Sequence, residues 1–323
     1  MVIGLCYDLQ DTYDISGDSI YKDFSFLSEV EFVEKGLSKL GHKVVLINGL
    51  EKFVKNITRY KSQCDIVFNM MEGIKSRNRE GLVPALCEAF GIPYTGSDAF
   101  SMSLSLNKYH MCQIVKSFNI HTPNSYLIDY PLAEVDDITT HGINYPCIIK
   151  PNHEGSSMGV ELIDSAEMLV ERMRCLSALY CQQLVIEEYV PGVELSVGIL
   201  GTSKQASVYS CLEFVNEDGS DIELFDYRCK YSSEFKAIKP RLKSKTINEI
   251  CENSLLIHKT LRFEDVSRID WRVKNDIPYF IEATPLPDFD IGADFDVSSK
   301  MAGETFETVL NKILTSALSR KKD

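Results

Sequence analysis

The chain has 323 residues, 44% of them apolar and 25% charged, with a net charge of −13 at pH 7. Its length exceeds one small core and predicts two or three domains of an ordinary globular protein. The negative charge argues against general nucleic-acid binding but leaves room for a nucleotide, which needs only a few local cations.

Residues 1–106 alternate strand and helix. Strands are predicted at Val2–Tyr7, His42–Ile47 and Ile66–Met70, and helices at Phe26–Leu40 and Leu82–Phe90, each helix followed by a glycine. Such alternation implies a parallel sheet with helices on both faces. A helix at Asn107–Phe118 stops before Thr122-Pro123. Strands at Tyr126–Ile128, Cys147–Lys150, Val160–Ile163 and Leu184–Tyr189 then surround a helix near Ala166–Leu176. From Glu194 the pattern reads as antiparallel, with strands at Glu194–Leu200, Gln205–Phe214 and Ile277–Glu282 and helices at Lys245–Leu261 and Thr305–Leu318. No apolar run reaches the length of a membrane span, and Met1-Val-Ile-Gly4 reads as a strand start and not a signal peptide. The ten cysteines form no C-x-x-C pair, and the six histidines show no metal-ligand spacing. Reduced thiols in a cytoplasmic protein, without zinc, are expected.

Three segments carry chemistry. In the first, a buried strand ends at Lys150 and runs into Glu154-Gly-Ser-Ser-Met-Gly159. A lysine there needs an anionic partner, and the loop offers hydroxyls and backbone N–H groups suited to a lid over phosphates. A surface hairpin with a snorkelling lysine is the plain alternative. Gly155-Ser-Ser157-Met-Gly159 also matches the G-x-S-x-G nucleophile elbow, but a strand follows where that elbow needs a helix, and only His258 could serve as base.

In the second, Glu187 and Glu188 enter a Pro191-Gly192 bend, and Glu194 begins the next strand. Alternation sends Glu187 and Glu188 to opposite faces. The bend suits an adenine held by backbone groups, with Glu194 accepting ribose hydroxyls; solvated acids on a hairpin are the alternative. In the third, Arg268-Ile-Asp270 and Glu282-Ala-Thr284 lie on two strands joined by a turn at Asn275-Asp276. Antiparallel pairing can set Asp270 and Glu282 opposite one another, a pair of oxygen donors suited to Mg²⁺ and phosphate. Arg268, on the same face, can stabilise charge developing in acyl transfer or simply form a structural ion pair. Neither G-x-x-x-x-G-K-[ST] nor G-x-G-x-x-G is present.

Together these segments resemble the ATP-grasp superfamily, and within it the D-alanine–D-alanine ligase family, over most of residues 64–310. The elements that carry the resemblance are Asn107-Lys108, Ile149-Lys150-Pro151, the 154–159 loop, Glu187 to Glu194, Phe225-Asp-Tyr-Arg-Cys-Lys230-Tyr231, Arg268-x-Asp270 and Glu282-x-Thr284. It implies a three-domain α/β and α+β fold: a Rossmann-like domain at 1–106, a central ATP-grasp domain at 107–190 and a C-terminal one at 191–323. It also implies that Lys108, Lys150 and Lys230 bind phosphates and that Gly155, Ser156 and Ser157 form the lid. Glu187, Glu188 and Val190 would lie at the adenine and Glu194 at the ribose. Asp270, Glu282 and Thr284 would hold Mg²⁺ or Mn²⁺, and Arg268, Ser156 and Lys230 would serve catalysis.

The departures from the family fall in the amino-acid half. The stretch Cys6 to Ser16 lacks the family's Gly-Gly turn and its glutamate-bearing helix start, and Glu72-Gly73 replaces a His-Gly motif. Thr284 stands for an asparagine, Asp288 for a glycine and Ala293 for the carboxylate-binding serine. The implied activity is ADP-forming ligation of a small-molecule carboxylate, through an acylphosphate, to an amine other than D-alanine. Glu72, Tyr231, Asp288 and Asp290 are the candidate substrate residues, and the acidic stretch Asp288–Asp296 is either a solvated loop or a pocket for a cationic amine. A true D-alanine–D-alanine ligase and a non-catalytic nucleotide-binding protein are the alternatives. Expected partners are ATP and the two small substrates, with a homodimer left open.

Overall fold

The computed structural model describes residues 1–9, 12, 25–74, 76–132, 142–202, 205–224 and 235–320. Strand β1 (Val2–Tyr7) is the middle of a three-stranded parallel sheet, flanked by β2 (Lys43–Asn48) and β3 (Ile66–Asn69). Its residues are buried almost without a break, as a strand covered on both faces must be. Ile3 and Leu5 face α1 (Leu27–Lys39) and the C-terminal α10 (Phe306–Arg320). Cys6 faces α2 (Leu50–Lys55), α3 (Ile57–Gln63) and α4 (Leu82–Phe90). Helices α1 and α10 approach so closely that a Cβ on Gly36 would lie 2.6 Å from Leu310 Cδ1. The last helix of the chain therefore covers the first sheet.

After α5 (Ala99–Ser105), helix α6 (Lys108–Lys116) is capped by Asn107, whose side chain accepts from the His110 N–H at 3.1 Å. A four-stranded antiparallel sheet follows, in the order β4 (Ser125–Ile128), β7 (Leu184–Glu188), β5 (Cys147–Pro151), β6 (Glu161–Ile163), with α7 (Ala166–Tyr180) packed on it. The third sheet has five antiparallel strands, in the order β10 (Phe235–Ile238), β9 (Ser207–Asn216), β8 (Val193–Leu200), β11 (Val266–Lys274), β12 (Ile277–Thr284). Asn275 and Asp276 join the last pair with φ of 54° and 64°, the left-handed pair of a tight hairpin turn. Helices α6 and α8 (Ser244–Thr260) bury one face of this sheet around Leu195, Ile269 and Trp271.

The strands of each sheet fall within one of the intervals 1–106, 107–190 and 191–323. The acidic stretch departs in part from the solvated-loop reading of its sequence. Its second half opens a helix, α9 (Asp294–Met301), with Asp294 and Asp296 in the first turn. Asp296 is buried, accepts the Gly292 N–H at 2.8 Å and pairs with Lys300 at 2.6 Å, so it belongs to the helix start and not to a solvated loop. Among the described residues no helix is long and apolar enough to cross a membrane.

Candidate active site

The four- and five-stranded sheets face one another across a cleft roofed by the start of α6. Lys150, on β5, is buried, and its Nζ donates to Glu187 Oε1 at 2.6 Å on the neighbouring β7. Burial opposes the Lys150 charge, but Glu187, Cys112 and Glu282 together outweigh it, and its pKa lies above the usual lysine value. Lys108, in the first turn of α6, is likewise buried and pairs with Glu282. Two cations from different elements thus converge on one small cavity, lined also by Ile148, Ser157, Val190 and Glu194.

Asp270 on β11 and Glu282 on β12 are register partners, directly opposite one another, and Arg268 pairs in register with Thr284. Arg268 donates Nη2 to Asp270 Oδ2 at 2.9 Å and lies 3.9 Å from both Asp288 and Asp294. Burial works against its charge, yet Asp270 and Asp294 hold it protonated well beyond the normal range. Burial raises the Asp270 pKa, while Arg268 lowers it in part. Both readings of Arg268 therefore meet here, since it is ion-paired and it also faces the cleft. A divalent ion that takes two carboxylates and completes its shell with phosphate oxygens fits Asp270, Glu282 and the Thr284 oxygen. Among the described residues no group of three or more His, Cys, Asp or Glu side chains is placed to hold a metal alone, so phosphate would have to contribute.

The 154–159 loop bears positive φ at Ser156 (46°), Ser157 (55°) and Gly159 (68°), a strained path for the two serines of the kind found at functional loops. Ser156 and Gly155 border the same space as Arg268, Glu282, Thr284 and Glu72. Arg79 anchors the loop's entry, donating Nη1 to the His153 carbonyl at 2.6 Å with Nη2 3.5 Å from Glu154. His258 lies in the core behind the five-stranded sheet, with its ring on Ser267, and β6 follows the loop, so the nucleophile-elbow arrangement does not form.

Glu188 points away from Glu187, accepting from Asn124 Nδ2 at 3.2 Å, though it borders the same small cavity as Lys108 and Lys150. Gly192 makes the bend (φ 125°), where a Cβ would collide with the Val273 carbonyl. Lys230 and Tyr231 lie outside the described residues.

Beyond Arg268 the cleft widens into a cavity of about 660 Å³, bordered by Glu72, Asp288, Asp290, Asp294 and Glu29. Glu29 is absent from the sequence reading. It lies on the inward face of α1, accepts the Phe289 N–H at 2.7 Å, and has a pKa pushed up to about 7, first by burial and then by Asp288. An acid among Val30, Val33 and Leu37 on a helix's apolar stripe was the available signal. Arg272 also went unread, although its spacing from Asp270 places it on the cleft face.

Known proteins resemble this chain in sequence and in fold. The profile described as "D-ala D-ala ligase C-terminus" matches residues 130–315. A D-alanine–D-alanine ligase of Aquifex aeolicus is 31% identical over 88% of this chain and 92% of its own length. One from Thermotoga petrophila is 30% identical over 89% and 90%. The solved D-alanine–D-alanine ligase of Bacillus anthracis complexed with ATP superposes with a TM-score of 0.76 at 20% identity, covering 100% of this chain and 99% of that one. A D-Ala:D-Ser ligase from Enterococcus faecalis gives the same TM-score at 20% identity over 98% and 99%. With both the sequence match and the cleft in agreement, the chain belongs to the D-alanine–D-alanine ligase family.

Proposed function

We propose that this chain is an ATP-dependent, ADP-forming ligase that phosphorylates a small-molecule carboxylate and joins the acylphosphate to an amine. The observation that carries this is the convergence of Lys108, Lys150, Asp270 and Glu282 on one cleft between two sheets. The lysines, now paired with acids, can turn to the phosphates of ATP. The 154–159 loop covers them, Glu187 and the Val190 backbone meet the adenine, and Glu194 accepts from the ribose. Mg²⁺ held by Asp270, Glu282 and Thr284 would neutralise charge on the transferring phosphoryl group. Arg268 stabilises the oxyanion that forms when the amine attacks. The three sheets support three domains, at 1–106, 107–190 and 191–323, with α10 returning to the first. We propose that the enzyme acts in the cytoplasm.

The substrate differs from D-alanine in this reading, and the support is electrostatic. Glu29, Glu72, Asp288 and Asp290 surround the wider cavity, where a second cationic group on the amine is favoured over a free carboxylate. D-alanine retains a claim as substrate through the names of the relatives above and through Arg268, which could meet its carboxylate. ADP release measured with D-alanine, D-serine, lysine, ornithine, arginine and simple diamines decides between them. Turnover with neutral amino acids alone, unchanged in Asp288→Asn and Asp290→Asn, would rule out the cationic amine.

A further inference from the structure

Arg272 is a buried cation in the cleft to which the reaction above assigns no task. It stands on β11, and its guanidinium makes four bonds. Nε donates to the Val190 carbonyl at 3.1 Å, Nη1 to Glu194 Oε2 at 2.6 Å and to the Ile222 carbonyl at 3.1 Å, and Nη2 to the Glu223 carbonyl at 2.7 Å. One planar group thus ties together the 190–194 bend, the first acid of β8 and the backbone at 222–223. Glutamate in solution samples many rotamers, and ordering it costs free energy at each binding event. A carboxylate already held by a rigid fork has met that cost before the ligand arrives.

We propose that Arg272 is the positioning residue for ribose recognition. It holds the Glu194 carboxylate at a set distance from the adenine-facing bend, so that one rigid unit reads both sugar and base. The proposal rests on the assignment of Glu194 to the ribose. It touches no reacting atom, so its effect belongs in nucleotide affinity and sugar selectivity and not in the chemical step.

The test is calorimetric binding of ADP and 2′-deoxy-ADP, each with Mg²⁺, to the full chain, which needs no knowledge of the amino-acid substrates. The wild type is expected to prefer ADP roughly 10-fold, the value of a charge-assisted hydrogen bond. Arg272→Lys keeps a cation but cannot serve all four acceptors, and it should lose most of that preference. Arg272→Gln should lose all of it. The double variant Arg272→Lys/Glu194→Gln should show no further loss beyond Glu194→Gln alone. If Arg272→Gln does not fold, Arg272→Lys and the double variant still give the answer. Loss of preference in Glu194→Gln with a wild-type ratio in Arg272→Lys, both nucleotides weakening equally, overturns the positioning role alone. A wild-type ratio in Glu194→Gln overturns the ribose assignment beneath it.

Discussion

The two halves of the cleft are built on different charge balances. In the nucleotide half each buried cation meets an acid: Lys150 with Glu187, Lys108 with Glu282 and Arg272 with Glu194. In the amino-acid half Arg268 faces Asp270, Asp288 and Asp294, and burial, then Asp288, pushes the Glu29 pKa up to about 7. In the balanced half the internal acids hold the cations in place until a phosphate competes for them. A half with excess acid instead selects for what enters it. On the function proposed above, the first half would serve the nucleotide and the second would select the amine.

The largest effect expected from this contrast is at the paired carboxylates. Asp270→Asn and Glu282→Gln should each lower ADP release by about 100- to 1000-fold, and the lost ion partner of Arg268 or Lys108 should lower the melting temperature, with circular dichroism still showing a folded chain. Near-normal turnover in both would remove the metal from this site.

Lys150→Ala should cost turnover on the order of 100-fold, and it also strands a buried Glu187. That stranded charge should destabilise the fold by roughly 3–5 kcal/mol. Lys150→Met combined with Glu187→Gln should recover the stability, read by urea denaturation, but not the activity. If the pair recovers both, Lys150 is structural only.

Glu29 gives a smaller effect with a definite sign. Its folded pKa of about 7 lies above the ordinary 4.5. Below about pH 4.5 the carboxyl is protonated in both states, and its full contribution is present. As pH rises through about 7 the folded chain must bury an anion, and that contribution is lost. Glu29→Gln should therefore match the wild type at low pH and exceed it above about pH 7, by on the order of 2–3 kcal/mol. Parallel stability profiles from pH 4.5 to 8 would show that Glu29 is ordinary. Thr284→Asn should have the smallest effect, with turnover within about threefold of wild type because an oxygen donor is retained. Loss of ATP turnover in that variant would mean the site is organised around a different geometry.

The nucleotide half was legible in the sequence because its parts sit at fixed spacings on strands. Alternation alone sends Glu187 and Glu188 apart and puts Arg268 and Asp270 on one face, and the short turn at Asn275-Asp276 sets Asp270 opposite Glu282. The glycine after α4 and the Asn107 cap were likewise local signals. Arg272 obeyed the same alternation and could have been read with them. What only the tertiary structure decided is which distant groups meet. Lys150 pairs with Glu187 across two strands, α10 returns to cover the first sheet, and α1 brings Glu29 to the 288–294 segment. Local periodicity reports which face of an element is buried. It cannot report what lies against that face, because the partner is chosen by packing between segments that lie from 37 to 260 residues apart. For the same reason composition left the acidic stretch as either a solvated loop or a cationic pocket, while in the fold Phe295 is buried, Asp296 accepts the Gly292 N–H, and the second half is a helix.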